Sequence, residues 1–279
     1  MKDLIKRATQ FLQESAIKEP RLQAEEILSS VLGIPRLSLN LFFDRELTET
    51  EIQTFRRRLL LRSLHLPIQR IEKSVSFFGI DIDLTDDVLI PRQETEILAD
   101  HIARCLQGQS LEGKEFWDVC TGSGCLGLSI KKRFPELNVT LSDISSRALD
   151  QAKHNAKIND LSVDFLEGDM LIPFLGKKAD FIVCNPPYIS SFEFTSLDPE
   201  VRLFDPKQAL VSGSTGLEGY FVLSEQLPLV LNSSGKVFFE IGWNQGEELM
   251  KLFSAPFWRA QRVIKDWSSH DRFFFLEIE

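Results

Sequence analysis

The chain has 279 residues, of which 43% are hydrophobic, so it is long enough to form one large domain or two smaller ones around a buried core. Its formal net charge is −9, so the chain has no excess of Lys and Arg with which to neutralise the phosphates of a nucleic acid. This composition disfavours extensive nucleic-acid binding. The four cysteines contain no Cys-x-x-Cys pair and the four histidines are scattered, so neither disulfides nor a metal site is predicted. No apolar run approaches the roughly 20 residues that span a bilayer. We therefore expect a cytoplasmic protein without membrane association.

The first part of the chain, residues 1–73, has the pattern of short helices. Its apolar residues recur at helical spacing, as at Leu4 and Ala8, whereas strand signals are weak. Pro20, the stretch 33–35 and a capping-box pattern at 48–51 interrupt the region. These features predict four or five short helices that form a small helical domain over residues 1–73.

Residues 74–90 change to an alternation of period two, which predicts a β-hairpin that turns near Gly79 and links two domains. The remaining residues, 91–279, alternate between strand and helix, with a helix at 145–159. This alternation is typical of an α/β domain with a mostly parallel sheet that is covered on both faces. The seven predicted strands lie at 116–120, 139–142, 163–166, 181–184, 236–241, 260–265 and 273–278.

A glycine-rich turn follows the first of these seven strands. The segment Phe116-Trp117-Asp118-Val119-Cys120-Thr121-Gly122-Ser123-Gly124 runs from an apolar strand into the start of a helix. Gly122 and Gly124 lack a Cβ and can adopt positive φ, which lets a ligand lie against the backbone at the carboxyl end of a parallel strand. Asp143 ends the next strand, where its carboxylate can accept hydrogen bonds from both hydroxyls of a ribose. The pattern predicts a nucleoside-binding site.

The spacing of this turn does not decide which nucleoside binds. Gly122, Gly124 and Gly127 also satisfy the G-x-G-x-x-G pattern of dinucleotide sites, so NAD stays open. Two further positions favour a ligand with an ammonium group and an adenine. Asp118 can meet the ammonium group, and Asp169 with Met170 after the third strand can meet the adenine.

The most specific pattern is Asn185-Pro186-Pro187-Tyr188, which follows the fourth strand. The prolines have no N–H, and Asn185 is biased to an extended conformation, so the loop exposes acceptors with few competing donors. The Asn185 side-chain oxygen and the Pro186 carbonyl can accept the two N–H groups of a planar amide or aromatic amine, on which Tyr188 can stack. Such acceptors would orient the nitrogen towards an electrophile and stabilise the positive charge that grows on it.

Together, this loop and the turn 118–124 resemble amino-methyltransferases, and the flanking sequence resembles the release factor glutamine methyltransferase (HemK-type) family in particular. The resemblance covers most of the chain. It includes four further segments: Leu89-Ile90-Pro91-Arg92-Gln93-Glu94-Thr95-Glu96, Val201-Arg202 with Phe204-Asp205-Pro206, Ala209-Leu210, and Glu240-Ile241-Gly242 with Gln245-Gly246. DNA adenine methyltransferases share the tetrapeptide but do not usually carry the Pro91-Arg92 segment after a helical domain and a hairpin.

The resemblance implies a Rossmann-like S-adenosylmethionine-dependent methyltransferase domain over 91–279, preceded by the hairpin and a helical substrate-docking domain. It implies transfer of a methyl group from S-adenosylmethionine to the side-chain amide nitrogen of the glutamine in the Gly-Gly-Gln loop of class I peptide chain release factors. The resemblance implies cofactor contacts by Cys120, Thr121, Gly122, Ser123, Gly124, Asp143, Met170 and Asn185. The motif chemistry described above adds Asp118 and Asp169 to the predicted cofactor-binding residues. The implied substrate contacts are Asn185, Pro186, Pro187 and Tyr188, of which Asn185, Pro186 and Tyr188 are the expected catalytic residues.

The sequence departs from the family pattern at Cys120, where glycine is usual, and at Met170, where an aromatic residue often follows the aspartate. The first change requires a backbone that tolerates a Cβ, and the second replaces adenine stacking by a sulfur contact. Two rival interpretations stay open. One is a nucleic-acid amino-methyltransferase acting on adenine or guanine, since an exocyclic amine presents the same pair of N–H groups. The other is a Rossmann nucleotide-binding module or NAD oxidoreductase, in which 185–188 is structural.

Overall fold

The computed structural model describes all 279 residues. Its contacts group into two compact units. The first comprises Met1–Lys73 together with Asp198–Phe204, and the second comprises Ser74–Leu197 together with Asp205–Glu279. None of the helices combines the length and the apolar composition that crossing a membrane requires.

The first unit is helical, as predicted. Its N-terminal part contains four α-helices and one 3₁₀ helix: α1 (Lys2–Glu14), α2 (Pro20–Leu32), the 3₁₀ helix Arg36–Phe42, α3 (Glu49–Ser63) and α4 (Ile68–Glu72). The capping box is present, since the Thr48 hydroxyl accepts a bond from the Glu51 N–H and the Glu51 carboxylate accepts one from the Thr48 N–H. The buried faces of α1, α2 and α3 share an apolar core that includes Leu12, Ile27 and Phe55.

A sixth helical segment of this unit comes from a distant part of the sequence. Residues Asp198–Phe204 contain the short helix α8 (Pro199–Phe204), which lies in the sequence within the predicted domain 91–279. In the structure these residues pack with the helices of the first unit. Glu200 pairs with the buried Arg62, and Asp198 pairs with Lys18 at 2.8 Å. The pattern of hydrophobic residues carries no signal for such ion pairs, so the sequence did not predict this grouping.

The second unit begins with the predicted hairpin, formed by the antiparallel strands β1 (Ser74–Phe77) and β2 (Ile80–Asp83). Its turn contains Gly79 at a φ of +88°, a conformation that favours glycine. Phe77, Ile80 and Ile82 are buried in the core of the second unit.

A seven-stranded sheet forms the centre of the second unit, as predicted. The strand order is β5-β4-β3-β6-β7-β9-β8, in which the first five strands are parallel and β9 is antiparallel to both of its neighbours. The strands are β3 (Glu115–Val119), β4 (Asn138–Asp143), β5 (Asp164–Glu167), β6 (Ala179–Cys184), β7 (Leu231–Glu240), β8 (Trp258–Lys265) and β9 (Asp271–Ile278).

Helices cover both faces of this sheet, which accounts for the nearly continuous apolar runs of the central strands. The covering helices are α5 (Gln93–Leu106), α6 (Cys125–Arg133), α7 (Ser146–Ile158), α10 (Glu218–Val230) and α11 (Gly246–Leu252), and a further short helix, α9 (Lys207–Leu210), precedes α10. Phe116 lies in the core on the side of α5, α6 and α7, whereas its neighbour Trp117 lies in the core on the side of α10 and α11. The alternation of side chains along β3 therefore serves two cores.

Candidate active site

The predicted site residues converge because of the order in which the strands are placed. The chain builds β3, β4 and β5 outward in one direction and then crosses back to place β6 on the other side of β3. Val119 pairs with Cys184, so the residues that follow β3 and β6 leave the same edge of the sheet side by side. This change of direction is the position where open α/β sheets bind ligands.

The turn after β3 is closed by the carboxylate of Asp118. Its Oδ2 accepts hydrogen bonds from the Thr121 hydroxyl at 2.6 Å and from the Gly127 N–H at 2.8 Å. Only 1% of Asp118 is exposed, and this burial raises its pKa to about 7. Asp118 thus organises the turn and also lines the cavity described below. Its contact with an ammonium group stays a prediction.

Both Gly122 and Gly124 have a positive φ, but the space beside their Cα atoms differs. Gly122 has a φ of +55°, and no atom lies within 4 Å of the position that a Cβ would take, so its backbone is open. Gly124 has a φ of +84°, but a Cβ there would lie 2.9 Å from Leu128 and 3.1 Å from Leu141. The space beside Gly122 is therefore open and that beside Gly124 is filled by the core, and contact of either glycine with a ligand stays a prediction.

Asp143, at the end of β4, is held by backbone donors. Its Oδ2 accepts a bond from the Gly122 N–H and its Oδ1 accepts one from the Ser145 N–H, each at 2.9 Å. Burial raises the pKa of this carboxyl. Each carboxylate oxygen has further acceptor capacity, so the group can still receive the two hydroxyls of a ribose.

Cys120 and Met170, the two departures from the family pattern, contact each other. The Cys120 sulfur lies 3.7 Å from the Met170 sulfur, and both residues have positive φ, 59° and 46°. A side chain in this conformation is strained by about 1–2 kcal/mol. The Met170 methyl group also packs next to Gly219, where an added Cβ would approach it to 3.2 Å.

A cavity of about 420 Å³ adjoins these residues, a size typical of small-molecule sites. Most of the predicted site residues line it. They are Asp118, Cys120, Thr121, Gly122, Ser123, Asp143, Asp169, Met170, Asn185 and Pro187. The cavity lining does not include Gly124, Pro186 or Tyr188. Pro186 is buried, and an added Cβ on Gly219 would lie 3.7 Å from its Cβ.

The loop after β6 carries acceptor atoms without partners. The side-chain amide of the half-buried Asn185 makes no hydrogen bond within the protein, and the Pro186 carbonyl accepts none. Tyr188, by contrast, is bound at its phenol, which donates to Glu240 Oε1 at 3.3 Å. Burial raises the pKa of this phenol, so it stays protonated at neutral pH. Stacking of Tyr188 on a substrate stays a prediction.

The Pro91-Arg92 segment forms part of the wall of the cavity. Arg92 pairs with the buried carboxylate of Asp205, whose other oxygen lies 3.4 Å from the Ile90 N–H. These contacts join the chain before α5 to the segment that begins α9. Both sides line the cavity, through Leu89 and Pro91 on one side and Pro206 on the other.

Several lining residues were not predicted by the sequence. Ile144 follows Asp143 directly and is 51% exposed, and Glu218 and Val222 belong to α10. None of them lies in a recognisable motif. The position of Ile144 directly after Asp143 is the one signal that the sequence offers for it, since residues next to a predicted site residue also lie near the cavity. The sequence has no equivalent signal for Glu218 or Val222.

Two protein families match this chain, the methyltransferase small domain over residues 93–205 and the PrmC N-terminal domain over residues 3–72. The chain is 44% identical over 277 residues to the release factor glutamine methyltransferase of Chlamydia trachomatis serovar D. That alignment covers 99% of this chain and 94% of the relative. This chain belongs to the release factor glutamine methyltransferase family.

Other relatives carry the same name. Those of Bacillus subtilis and Chlorobaculum tepidum are 37% and 36% identical, and each alignment covers 97% of this chain. It covers 95% and 94%, respectively, of the two relatives. Membership of this family confirms the resemblance and leaves the binding-module and NAD interpretations without support.

Solved structures support the fold of most of the chain. The catalytic domain of hMettl16, in complex with an RNA hairpin, has a TM-score of 0.55 at 16% identity, and 80% of each chain is covered. A methyltransferase from Pyrococcus furiosus has a TM-score of 0.53 at 17% identity, with 80% of this chain and 96% of that chain covered. At this identity the likeness shows a shared Rossmann-like methyltransferase fold and nothing about substrates.

Proposed function

We propose that this protein transfers the methyl group of S-adenosylmethionine to the side-chain amide nitrogen of the glutamine in the Gly-Gly-Gln loop of class I peptide chain release factors. The observation that carries the proposal is the pair of acceptors, the Asn185 side chain and the Pro186 carbonyl. Both lack partners within the protein, next to a cavity whose other wall has the features of a nucleoside site. The family's name supports the substrate.

The residues of the cavity fit the cofactor. Gly122 leaves its backbone open, and Asp143 keeps acceptor capacity for a ribose. Ile144 and Met170 offer apolar atoms on the same wall, suited to a purine ring. Asp118 is placed at the closed end of the turn, where a carboxylate suits an ammonium group. S-adenosylmethionine, when bound, supplies an electrophilic methyl group on a sulfonium.

The substrate loop then acts by orientation. A primary amide has two N–H groups and a delocalised nitrogen lone pair, so two fixed acceptors hold the plane of the amide and direct the nitrogen. In our proposal, the Asn185 oxygen accepts one N–H and the Pro186 carbonyl accepts the other. The same oxygens stabilise the positive charge that develops on the nitrogen. No covalent bond between the protein and the glutamine is required.

The roles of the domains follow from this proposal. The helical domain, residues 1–73, is the part that would dock the release factor, and the match of residues 3–72 to the PrmC N-terminal domain supports a family-specific role for it. The hairpin 74–90 and the domain 91–279 would carry the connection and the chemistry. A release-factor substrate also favours the cytoplasm, which suits the four free thiols.

A labelling assay tests the proposal. The purified protein is incubated with methyl-labelled S-adenosylmethionine and, separately, a class I release factor, total tRNA with rRNA, and DNA. We expect label on the release factor alone, mapped by mass spectrometry to the Gly-Gly-Gln glutamine.

The matched control is the same release factor with that glutamine replaced by alanine, which should stay unlabelled. Label on tRNA, rRNA or DNA instead would preserve the chemistry and replace the substrate by a nucleobase amine. Label on the alanine-substituted release factor would place the methyl group on another residue and contradict the proposed site.

A further inference from the structure

Two polar side chains near the end of β7 hold Tyr188, and the proposed reaction has given neither of them a role. Glu240 is the last residue of β7, and Gln245 lies in the turn that precedes α11. Both belong to sequence segments that resemble the family, but no contact with cofactor or substrate is predicted for them. Each is almost fully buried, with 2% of Glu240 and 6% of Gln245 exposed.

Glu240 binds the phenol of Tyr188. Its Oε1 accepts the phenol O–H at 3.3 Å, and its Oε2 accepts the Thr95 hydroxyl at 2.7 Å. Thr95 lies in α5 and lines the cavity. The two bonds fix the plane of the carboxylate, and the carboxylate in turn fixes where the phenol can lie.

Gln245 binds the other polar end of the same residue. Its Nε2 donates to the Tyr188 carbonyl at 2.9 Å and to the Gly216 carbonyl at 3.2 Å, while its Oε1 accepts the Gly242 N–H at 2.8 Å. All three hydrogen bonds of the Gln245 amide are made with backbone groups. Tyr188 is therefore held at its ring and at its main chain, three residues after Asn185.

A buried carboxylate is an expensive way to fill a protein core. Removing such a group from water costs several kcal/mol unless hydrogen bonds and charges compensate it. Burial raises the pKa of Glu240, although the Thr95 bond and the nearby Arg272 oppose that effect. An apolar residue would fill the same space at lower cost. The contacts with Thr95 and Tyr188 indicate what the carboxylate contributes instead, which is orientation.

We propose that Glu240 and Gln245 are positioning residues for methyl transfer: they hold Tyr188, and through it the acceptors of Asn185 and Pro186, in the geometry that receives the substrate amide. This inference rests on the proposed function. Reaction rates are sensitive to such geometry, since displacement of a reacting group by about 1 Å can lower a rate by about 10²-fold. Neither residue is expected to touch the cofactor or the substrate.

The test compares variants of the full-length protein in the release-factor assay. We expect Glu240→Ala to lower kcat by roughly 10- to 100-fold, with the KM for the release factor and the Kd for S-adenosylmethionine changed by less than about threefold. Glu240→Gln should recover most of the rate, because its amide oxygen can still accept the phenol and its NH₂ group can donate to Thr95. Gln245→Ala should behave like Glu240→Ala.

Tyr220→Phe is the matched control. The Tyr220 phenol is also fully buried and donates to Glu240, but to its backbone carbonyl at 2.7 Å. Its loss removes a buried hydrogen bond from the same core without releasing Tyr188. We expect it to lower the melting temperature and to leave kcat within about twofold of the wild type.

Tyr188→Phe keeps the inference testable if Glu240→Ala does not fold. It removes the same hydrogen bond from the other side, so kcat should fall as expected for Glu240→Ala, and adding Glu240→Gln to Tyr188→Phe should lower kcat little further. Wild-type kcat in Glu240→Ala or in Tyr188→Phe would overturn the inference. So would an equal loss of kcat in Tyr220→Phe, because that result means general destabilisation. An inactive wild type would instead contradict the proposed function itself.

Discussion

The turn after β3 is closed by its own residues, since Asp118 accepts bonds from Thr121 and Gly127, three and nine positions further along the chain. The loop after β6 is held by residues that are distant in the sequence, since its Tyr188 is bound by Glu240 and Gln245, 52 and 57 positions further along the chain. The Asp118 carboxylate accepts two donors from the turn and the helix that follows it, whereas the loop leaves the acceptors of Asn185 and Pro186 without partners. A binding surface can be organised locally, but acceptors that must stay unpaired need support from elsewhere in the fold.

This difference predicts that substitutions in the loop alter the rate and that substitutions in the turn alter the affinity. The largest effect is expected for Asn185→Ala. Loss of one fixed oxygen that orients the nucleophile should lower kcat by about 10²- to 10³-fold, while most of the cofactor affinity is retained. Single-turnover methylation and calorimetry with S-adenosylmethionine measure the two quantities.

Asn138→Ala serves as the control for Asn185→Ala, because Asn138 is exposed at the start of β4, at the opposite end of its strand from the site. It should have wild-type activity. If Asn185→Ala is as active as Asn138→Ala, the loop does not orient the substrate and the contrast between the two regions fails.

The second-largest effect is expected on the affinity for the cofactor. Asp143→Ala should weaken cofactor binding by about 10- to 100-fold, the loss expected for hydrogen bonds to a charged group, and should leave kcat at saturating cofactor nearly unchanged. Calorimetry measures the affinity. Asp143→Asn, which keeps one acceptor oxygen, should lie between the two proteins. An unchanged affinity in Asp143→Ala would place the ribose elsewhere.

The third prediction concerns the carboxylate that closes the turn. Burial raises the pKa of Asp118 to about 7 from an ordinary value of 3.8. Below about pH 4 this group is protonated in both the folded and the unfolded chain. Between about pH 4 and pH 7 the unfolded chain ionises first, so this residue's contribution to stability is lost as the pH rises, by at most about 4 kcal/mol.

Asp118→Asn cannot titrate, so its unfolding free energy relative to the wild type should increase from pH 4 to pH 7 and then level off. Urea unfolding at several pH values measures this difference. Asn138→Ala, which removes no titratable group from an exposed position of β4, should differ from the wild type by a constant amount over this pH range. A constant difference between Asp118→Asn and the wild type would mean that Asp118 is ionised without cost.

The smallest effect is expected at Cys120, where the backbone has a φ of 59°. Cys120→Gly removes the strain of a Cβ in this conformation and also the sulfur contact with Met170. Because this strain is present without bound cofactor, its removal should raise the free energy of unfolding by about 1 kcal/mol, measured by urea unfolding. Cys120→Ala retains the Cβ and loses only the sulfur. If alanine raises the free energy of unfolding as much as glycine does, the thiol and not the backbone conformation is the unfavourable feature.

Short-range patterns in the sequence were sufficient for most of the fold. The period-two alternation in residues 74–90, the helical spacing in residues 1–73 and the hairpin turn near Gly79 depend on neighbours within a few positions, and each appears in the structure as predicted. The glycine turn and the loop 185–188 were recognisable for the same reason. Their chemistry depends on residues that are adjacent in the sequence. The resemblance to a family then predicted the identity of the cofactor and of the substrate.

Only the tertiary structure decided how these parts are combined. The grouping of Asp198–Phe204 with the first unit depends on ion pairs with Lys18 and Arg62, about 180 and 138 positions away. Two further features join residues that are distant in the chain: the contact between Cys120 and Met170, and the hydrogen bonds of Glu240 and Gln245 with Tyr188. Gly122 and Gly124 differ only in their surroundings, which the sequence does not show. A sequence specifies local conformation through neighbouring residues, but burial and hydrogen-bond partners exist only once the strands have been ordered.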